Sequence, residues 1–434
     1  MLRRSFSGLD PVALLAAGLG LVTLFLPWLL LKPTRISPGV GYAALGLDPL
    51  WAVVLLVLWL ILPGFKGTWR GLVAGLGVLA WGGLISAGAQ RLLEEAGEFA
   101  RVSPAGGFWL GIPAFYLAFF AAYRESGWRA TWTAPVAFIA LLLMGAFDRL
   151  GPTVELGAWR SQFGTELWRH LALSGSALIQ AVLIGVPLGI LASRGRGFNW
   201  VVGVTGFLQT IPSLALFGLL LAPLAWLSRA MSLEVALAIL IIGALLVRVF
   251  RAVGNWAVFA VALPVGVLGM VVMGALLFGL LGPDPLRLAL NAPLTEAGVR
   301  GIGAAPAVLA LTLYALLPVV AGTRAGLQAV SDDLRQAGRG MGMSAQQLLF
   351  RVELPLALPL VMEGVRGAAV LTIGITTIAA LIGAGGLGFF ILRGVEGGAP
   401  DLVLLGAIPV IILALLIDVL LRQVGRWLTP RGVR

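Results

Sequence analysis

Apolar runs of about 20 residues recur along the whole chain, and this repetition constrains the fold more than any other feature. A helix of that length crosses the hydrocarbon core of a bilayer. Only 11% of the residues are charged, whereas roughly a quarter are charged in soluble proteins. The runs do not alternate as barrel strands do, and helices satisfy their own backbone hydrogen bonds in lipid. The sequence therefore predicts an all-α integral membrane protein.

About twelve transmembrane helices are predicted from the apolar runs. They lie near residues 12–31, 47–63, 71–89, 106–122, 132–147, 170–192, 200–222, 233–250, 259–282, 302–321, 357–384 and 401–421. The first run follows Arg3 and Arg4, as the apolar part of a signal peptide would. It is long and further segments follow at once, so we interpret it as a retained first helix.

The formal charge of +11 reports membrane orientation, because the basic residues lie at the ends of apolar runs. With twelve spans and a cytoplasmic N-terminus, the cytoplasmic loops hold 18 of the 30 Lys and Arg residues and the outer loops hold 11. Twelve of the 19 acidic residues fall outside. Both termini are therefore predicted to be cytoplasmic, and no nucleic-acid partner is expected.

Residue types in the chain argue against enzymatic and metal sites. The sequence has no cysteine, which excludes disulfides, thiolate metal ligands and cysteine nucleophiles. One histidine, His170, cannot build a multi-histidine metal site, so an interfacial or packing role is expected for it. A membrane-embedded enzyme would need a nucleophile with its base or clustered ligands, and the carboxylates are scattered.

The longest predicted cytoplasmic loop, residues 322–359, is also the least apolar region. Ser331–Asp333 predicts the start of a short helix with Leu334, Ala337 and Met341 on one face. Gly340 and Gly342 end that helix. The pair Ser344 and Gln347 forms a capping box for a second short helix with an apolar stripe. Two such helices could dock in another protein's groove or lie on the bilayer surface, and their chemistry alone leaves both alternatives open.

A motif in this loop resembles the EAA loop of importer-type ABC permeases. Gln336-Ala337-Gly338 is followed after three residues by Gly342, and after nine more by Val352-x-Leu354-Pro355. The resemblance implies that 324–355 is the coupling element seated on an ATP-binding subunit. Its implied residues are Gln336, Ala337, Gly338, Gly342, Leu348, Val352, Leu354 and Pro355. The family's usual acid is Gln336 here, so a charge-assisted contact with the ATPase is expected to be absent or replaced.

Further segments resemble the osmoprotectant branch of these permeases, which imports glycine betaine, choline, carnitine and proline-like solutes. They are 209–216, 313–318, 340–343, 352–359, 380–388 and 401–406. The resemblance implies a methionine-importer-like (type I) permease core over 166–434, interrupted by a two-helix insertion near 226–300. Residues 1–165 add a hydrophobic module of about five helices, as in the longer betaine permeases, and its role is not indicated.

The resemblance also implies the partners. They are an ABC ATP-binding subunit that binds ATP and Mg, a periplasmic or lipid-anchored solute-binding protein, a second permease copy or paralogue, and membrane lipid of the bacterial inner membrane. No cofactor is expected in this chain, which has no Gly-x-x-x-x-Gly-Lys-Ser/Thr phosphate loop. Substrate recognition is expected mainly in the binding protein, because no dense aromatic box for a quaternary ammonium group is visible in the sequence.

Two sets of residues are candidates for the translocation pathway. Pro212 frees a carbonyl inside a predicted span, with Gln209, Thr210 and Ser213 around it. Thr372, Thr376 and Thr377 form a polar patch on another span, although threonines in membrane helices commonly bond their own backbone.

The stretch 383–388 matches the dinucleotide fingerprint Gly-x-Gly-x-x-Gly by letter, but it ends a span and follows no strand. Its glycines instead predict a hinge or a tight outer turn beside a gate. These glycines are Gly383, Gly385, Gly386 and Gly388.

The alternative function is an ion-coupled secondary transporter with twelve helices. Such carriers use ionisable groups within the membrane. The candidates are Glu363, Arg366 and Asp418 near predicted cytoplasmic span ends, and Glu363 and Arg366 have the spacing of a helical ion pair. Uptake driven by ATP rather than by a proton gradient would separate the two functions.

Overall fold

A computed structural model of the chain describes residues 10–97, 99–194, 199–253, 257–283, 293–296 and 299–429. Contacts divide these residues into two compact units. Unit 1 is drawn from residues 1–160 and 393–405, and unit 2 from residues 161–392 and 406–434.

Unit 1 combines helices with a small sheet. Its helices are α1 (Pro11–Thr23), α2 (Ala44–Leu47), α3 (Pro49–Ile61), α4 (Gly67–Glu94), α5 (Gly106–Ser126), α6 (Thr133–Leu143) and α7 (Gly151–Ala158). Its strands are β1 (Pro27–Lys32), β2 (Val40–Ala43) and β3 (Arg101–Pro104). The strand order is β2-β1-β3, and both pairings are antiparallel.

The sheet corrects the first predicted span, 12–31, which extends too far. Helix α1 begins after Asp10, whose side chain accepts a hydrogen bond from the Val12 amide, and it ends at Thr23. The Trp28 indole then donates to the Thr23 carbonyl at 2.6 Å, and the chain continues as β1. A short apolar run is compatible with a buried strand as well as with a helix. Hydropathy alone therefore predicts one continuous span where the structure has a helix followed by a strand.

The core of unit 1 is aromatic. Trp59 and Phe115 have ring centroids 4.7 Å apart, and Trp81 and Phe108 have centroids 4.8 Å apart. Trp28, Trp59 and Trp81 are buried. These three tryptophans pack inside the unit, while Trp69, Trp128, Trp226 and Trp427 are exposed as interfacial anchors are.

Small residues allow helices to approach closely in both units. In unit 1 a Cβ added at Gly75 of α4 would lie 2.8 Å from Thr133 Cβ, and the Thr133 hydroxyl donates to the Gly71 carbonyl at 2.7 Å. In unit 2 a Cβ at Gly185 would lie 2.8 Å from a methyl group of Val319. Pairs of glycines at this spacing occur often by chance in a chain with 59 glycines. At these positions, however, a side chain would clash with the neighbouring helix.

The remaining helices follow in chain order. They are α8 (Arg160–Ser193), α9 (Asn199–Thr210), α10 (Ser213–Ala230), α11 (Leu233–Val253), α12 (Ala257–Leu281), α13 (Ala304–Gln328), α14 (Asp332–Gly340), α15 (Ala345–Leu348), α16 (Leu354–Thr376), α17 (Gly388–Glu396) and α18 (Pro400–Leu428). Helices α13 and α16 pack at the centre of unit 2, where a Cβ added at Gly322 would lie 2.8 Å from the Leu360 carbonyl oxygen.

Among the described residues, eight helices are long and apolar enough to cross a membrane. Three shorter apolar helices, at Pro11–Thr23, Pro49–Gly64 and Thr133–Leu143, accompany them. The predicted class of helical membrane protein is confirmed, whereas a count of twelve spans is not. One predicted span, 200–222, is divided into α9 and α10 by a break at Ile211 and Pro212.

Candidate functional site

The predicted coupling loop folds as two short helices, α14 and α15. Ser331 occupies the N-cap of α14 without a side-chain cap bond, and Asp332 and Asp333 lie in the first turn. Ser344 and Gln347 form the predicted capping box at α15. A π-helical turn, Leu349–Glu353, then leads into α16.

Glycine shapes the connection between these helices in two ways. Gly342 has φ +78°, a backbone conformation that other residues adopt at a cost. Gly338 is buried, and a Cβ there would lie 2.6 Å from a Leu348 methyl group. Gly342 therefore sets the turn and Gly338 lets α14 and α15 touch.

The outer side of the loop is exposed and partly apolar. Leu334, Met341 and Phe350 are 47%, 70% and 61% exposed. Gln336 and Ala337 are exposed, while Val352, Leu354 and Pro355 are partly buried under the loop. Exposed large apolar groups on a polar helix are characteristic of a protein-binding surface.

A buried carboxylate, Glu353, holds the loop to the helices of unit 2. Arg335 of α14 donates to Glu353 Oε1 at 2.9 Å, and Arg194, just after α8, donates to Oε2 at 2.9 Å. Arg335 also bonds Asp332 at 2.8 Å and the Leu327 carbonyl, near the end of α13, at 2.6 Å. The Glu353 side chain is 3% exposed. This cluster links α8, α13 and α14.

The Arg335 guanidinium stays charged in this cluster. Desolvation by burial lowers the pKa of Arg335, but hydrogen bonds to Asp332 and Glu353 outweigh it and raise that pKa above its ordinary value. Sequence reasoning missed the cluster, because Arg194 and Glu353 are 159 residues apart. Glu353 occupies the variable position of the Val352-x-Leu354-Pro355 motif, which gives no signal of its own.

The predicted pathway residues around Pro212 lie at the break between α9 and α10. The Gln209 amide donates to the Tyr314 carbonyl at 2.7 Å, and the Tyr314 hydroxyl donates to the Ile211 carbonyl. The Ile211 carbonyl at the break is thus satisfied by a neighbouring helix, as expected for broken helices in membranes. Thr210 bonds the Phe207 carbonyl of its own helix at 2.7 Å. Ser213 begins α10.

The threonine patch bonds its own backbone. Thr372, Thr376 and Thr377 donate to the carbonyls of Ala369, Thr372 and Gly374 at 2.9, 2.6 and 2.8 Å. Thr372 and Thr376 are buried, and Thr377 is partly buried.

A second buried polar group was missed by sequence reasoning. Gln180 donates to the Met270 carbonyl at 2.5 Å and accepts from Thr312 at 2.9 Å. It joins α8, α12 and α13.

The glycine stretch forms a tight turn. Gly383, Gly385 and Gly386 have φ +75°, +76° and +84°. The Gly386 amide donates to Glu166 Oε2 of α8 at 2.6 Å, and a Cβ at Gly385 would lie 2.7 Å from the same oxygen. Gly388 packs against the Thr377 carbonyl.

His170 packs beside the glycine turn. It is fully buried, and its Nε2 lies 3.1 Å from the Ile373 carbonyl oxygen. A Cβ at Gly386 would lie 3.2 Å from its Nδ1.

Helices long enough to span a bilayer, a broken helix pair and a paired helical loop together describe a polytopic helical membrane protein. A family profile described as "Binding-protein-dependent transport system inner membrane component" matches residues 241–431, and one described as "ABC transporter permease YehY, N-terminal domain" matches residues 9–155. The chain belongs to the family of binding-protein-dependent ABC importer permeases.

Similar curated proteins are osmoprotectant permeases by name. The osmoprotectant import permease protein OsmW of Salmonella typhimurium is 34% identical over 62% of this chain and 92% of the relative. The carnitine transport permease protein OpuCB of Listeria monocytogenes is 32% identical over 62% and 89%. The choline transport permease OpuBB of Bacillus subtilis is 29% identical over 62% and 88%.

The solved structures that resemble the chain include inward-facing forms of the MetNI methionine ABC transporter. One matches with a TM-score of 0.41 and 18% identity, over 61% of this chain and 95% of that chain.

Proposed function

We propose that this permease imports a small zwitterionic or quaternary-ammonium osmoprotectant, such as glycine betaine, choline or carnitine, by alternating access. The names of the relatives support the substrate class. The observation that carries the mechanism is the coupling loop. It exposes apolar side chains outward, and it is tied through Glu353 to Arg194 after α8 and through Arg335 to α13.

A separate ATP-binding subunit is proposed to bind ATP and Mg and to contact α14 and α15. Leu334, Met341 and Phe350 supply an apolar contact surface for it. Movement of α14 would act on Glu353 through Arg335 and so on α8 through Arg194. Gln336 is neutral, so a charge-assisted contact at that position is absent or replaced.

The solute pathway is proposed to lie beside the break at Ile211 and Pro212, with Gln209, Thr210 and Ser213. Thr377, which is partly buried, is the least buried member of the threonine patch. The turn at 383–388 is proposed as part of the outer gate, where a solute-binding protein delivers substrate to a pair of permeases.

The chain is proposed to consist of two functional parts, one after the other in the sequence. Residues 166–434 form the permease core with an insertion near 226–300, of which 254–256, 284–292 and 297–298 lie outside the described residues. Residues 1–165 add a further module. Two compact units and two family profiles support such a division.

Both termini are proposed to be cytoplasmic. The excess of basic residues in the predicted cytoplasmic loops supports this orientation. Ion pairs in unit 1 agree with the assignment of loops to sides, because each joins residues that the twelve-span topology places on one side. Arg70 pairs with Asp10 at 3.3 Å and with Glu125 at 2.7 Å, all predicted cytoplasmic. Lys32 pairs with Asp401 at 3.4 Å, both predicted outside.

Reconstituted transport tests the proposal. The permease, with the ATP-binding subunit and binding protein of the same transporter, is placed in proteoliposomes with radiolabelled glycine betaine, choline or carnitine outside. Uptake should require ATP and the binding protein and should be insensitive to collapse of the proton gradient. Uptake driven by a proton gradient without ATP would contradict it and favour the ion-coupled alternative.

A further inference from the structure

A groove between α16 and the C-terminal part of α18 contains two adjoining cavities within unit 2. One cavity of about 410 Å³ is lined by Met362, Leu421 and three arginines, Arg366, Arg422 and Arg426, among others. The other, of about 400 Å³, is largely apolar and includes Val370 and Leu371. Arg366 and Glu363 line both cavities, so the groove is continuous.

The arginine end of the groove carries an excess of positive charge. Arg366 pairs with Asp418 at 2.5 Å and with Glu363 at 2.6 Å, and Arg422 pairs with Asp418 at 3.0 Å. Arg426 makes no ion pair with any residue that the structure describes. Three guanidinium groups face two carboxylates, which leaves one unit of positive charge.

The position of these arginines on α18 places them at a membrane boundary. Leu415, Leu416, Val419 and Leu420 are exposed on the preceding turns by 56% or more, as expected for lipid-facing positions. Arg422 follows directly and is 52% exposed. The apolar cavity lies on the membrane side, since Val370 is one helical turn further into α16 than Arg366.

We propose that this groove binds one anionic phospholipid, with its phosphate against Arg422 and Arg426 and an acyl chain along Val370 and Leu371. Basic pockets between transmembrane helices bind acidic headgroups, and the net charge here favours an anionic over a zwitterionic lipid. The adjoining apolar cavity matches an acyl chain, which a phospholipid has and inorganic phosphate lacks.

Native mass spectrometry of the purified full-length permease tests the assignment. The protein is exchanged into detergent with phosphatidylglycerol or with phosphatidylcholine, and the fraction with bound lipid is measured. Wild type should retain phosphatidylglycerol in preference. The double variant Arg422→Gln/Arg426→Gln should retain it about 25-fold less, because each basic residue near a membrane contributes about fivefold. Arg366 is left unchanged, since its ion pairs join α16 to α18.

Arg129→Gln is the matched control. Arg129 is exposed, is predicted on the same membrane side, and has no ion pair among the residues described. It should retain lipid as wild type does. An unchanged unfolding temperature without lipid shows that the double variant is folded, and excess inorganic phosphate should fail to displace the lipid.

Three results would overturn the proposal. They are equal retention of phosphatidylglycerol by wild type and double variant, equal retention of both lipids by wild type, and a change of oligomeric state in the double variant. The last would identify the groove as an interface between copies. None of these results depends on the transported solute or on ATP, so the proposed function is tested separately.

Discussion

At the scale of single residues, the Glu353 carboxylate joins the coupling loop to the end of α8. Its carboxylate is buried beneath the coupling loop and accepts from two arginines that come from different parts of unit 2. A buried carboxylate with paired cations is stable only while its partners remain. Any motion of α14 must therefore carry Glu353 with it or break a charged hydrogen bond.

Glu353→Gln is expected to weaken the link between the loop and α8. The amide keeps the size of the side chain but leaves Arg194 and Arg335 without a countercharge. Since these arginines are 41% and 24% exposed, water screens part of the loss. We expect about 2 kcal/mol of destabilisation rather than the about 3–5 kcal/mol of a fully buried pair. Thermal unfolding measures it, and ATP-driven uptake should fall.

Asp333→Asn is the matched control for this prediction. Asp333 lies in the first turn of α14, is exposed, and has no ion pair in the described part of the chain. It should change stability by no more than a few tenths of a kcal/mol. Wild-type stability and uptake in Glu353→Gln would show that the cluster has no coupling role.

At the scale of elements, the coupling helices depend on one backbone conformation. Gly340 and Gly342 lie two residues apart, and a Cβ at either would meet open space. Only Gly342 has positive φ. Alanine substitutions at these two positions therefore test the effect of backbone conformation separately from steric crowding.

Gly342→Ala is expected to strain the turn by about 1–2 kcal/mol, whereas Gly340→Ala should be neutral or stabilise α14 by up to about 1 kcal/mol. Uptake, and ATP hydrolysis stimulated by binding protein, should fall for the first variant only, with membrane insertion unchanged in both. A bulky residue at 342 should abolish transport. Equal behaviour of the two alanine variants would show that the turn geometry is unimportant for coupling.

The sequence predicted these helices well and the small sheet not at all. Capping residues such as Ser344 act on neighbours in the chain, so the loop could be predicted from its own residues. The strand at Leu29–Lys32 forms because it pairs with Arg101–Pro104, about seventy residues on. Glu166 likewise meets Gly386 only through the tertiary fold. Apolar runs and capping residues therefore predict individual helices. They do not predict the hydrogen bonds between segments that are far apart in the sequence.

At the scale of the whole molecule, unit 1 encloses a segment from the far end of the chain. Asp401 is 1% exposed, accepts from Ser103 of β3 at 2.7 Å and pairs with Lys32 of β1 at 3.4 Å. Gly151 closes around the carboxylate, where a Cβ would clash. The segment 393–405 is thus held by charge as well as by packing.

Lys32→Met should destabilise the protein by about 3–5 kcal/mol, because it leaves Asp401 buried without a cation. Adding Asp401→Leu should restore most of that stability, since an apolar pair of similar volume avoids the desolvation cost. Thermal unfolding of both single variants and the double variant measures the coupling. Additive losses would mean that the two side chains do not interact in the folded protein.

The glycine turn at 383–388 has a consequence for how variation acts on this permease. Four of its six residues are glycines, three of them with positive φ, and the Gly386 amide is held by the carboxylate of Glu166, 220 residues away. Substitutions that loosen the turn are therefore expected to map to a different helix as readily as to the turn itself. A saturation library should show intolerance at Glu166 comparable to that at the glycines, so a sequence survey confined to the loop would miss one of its determinants.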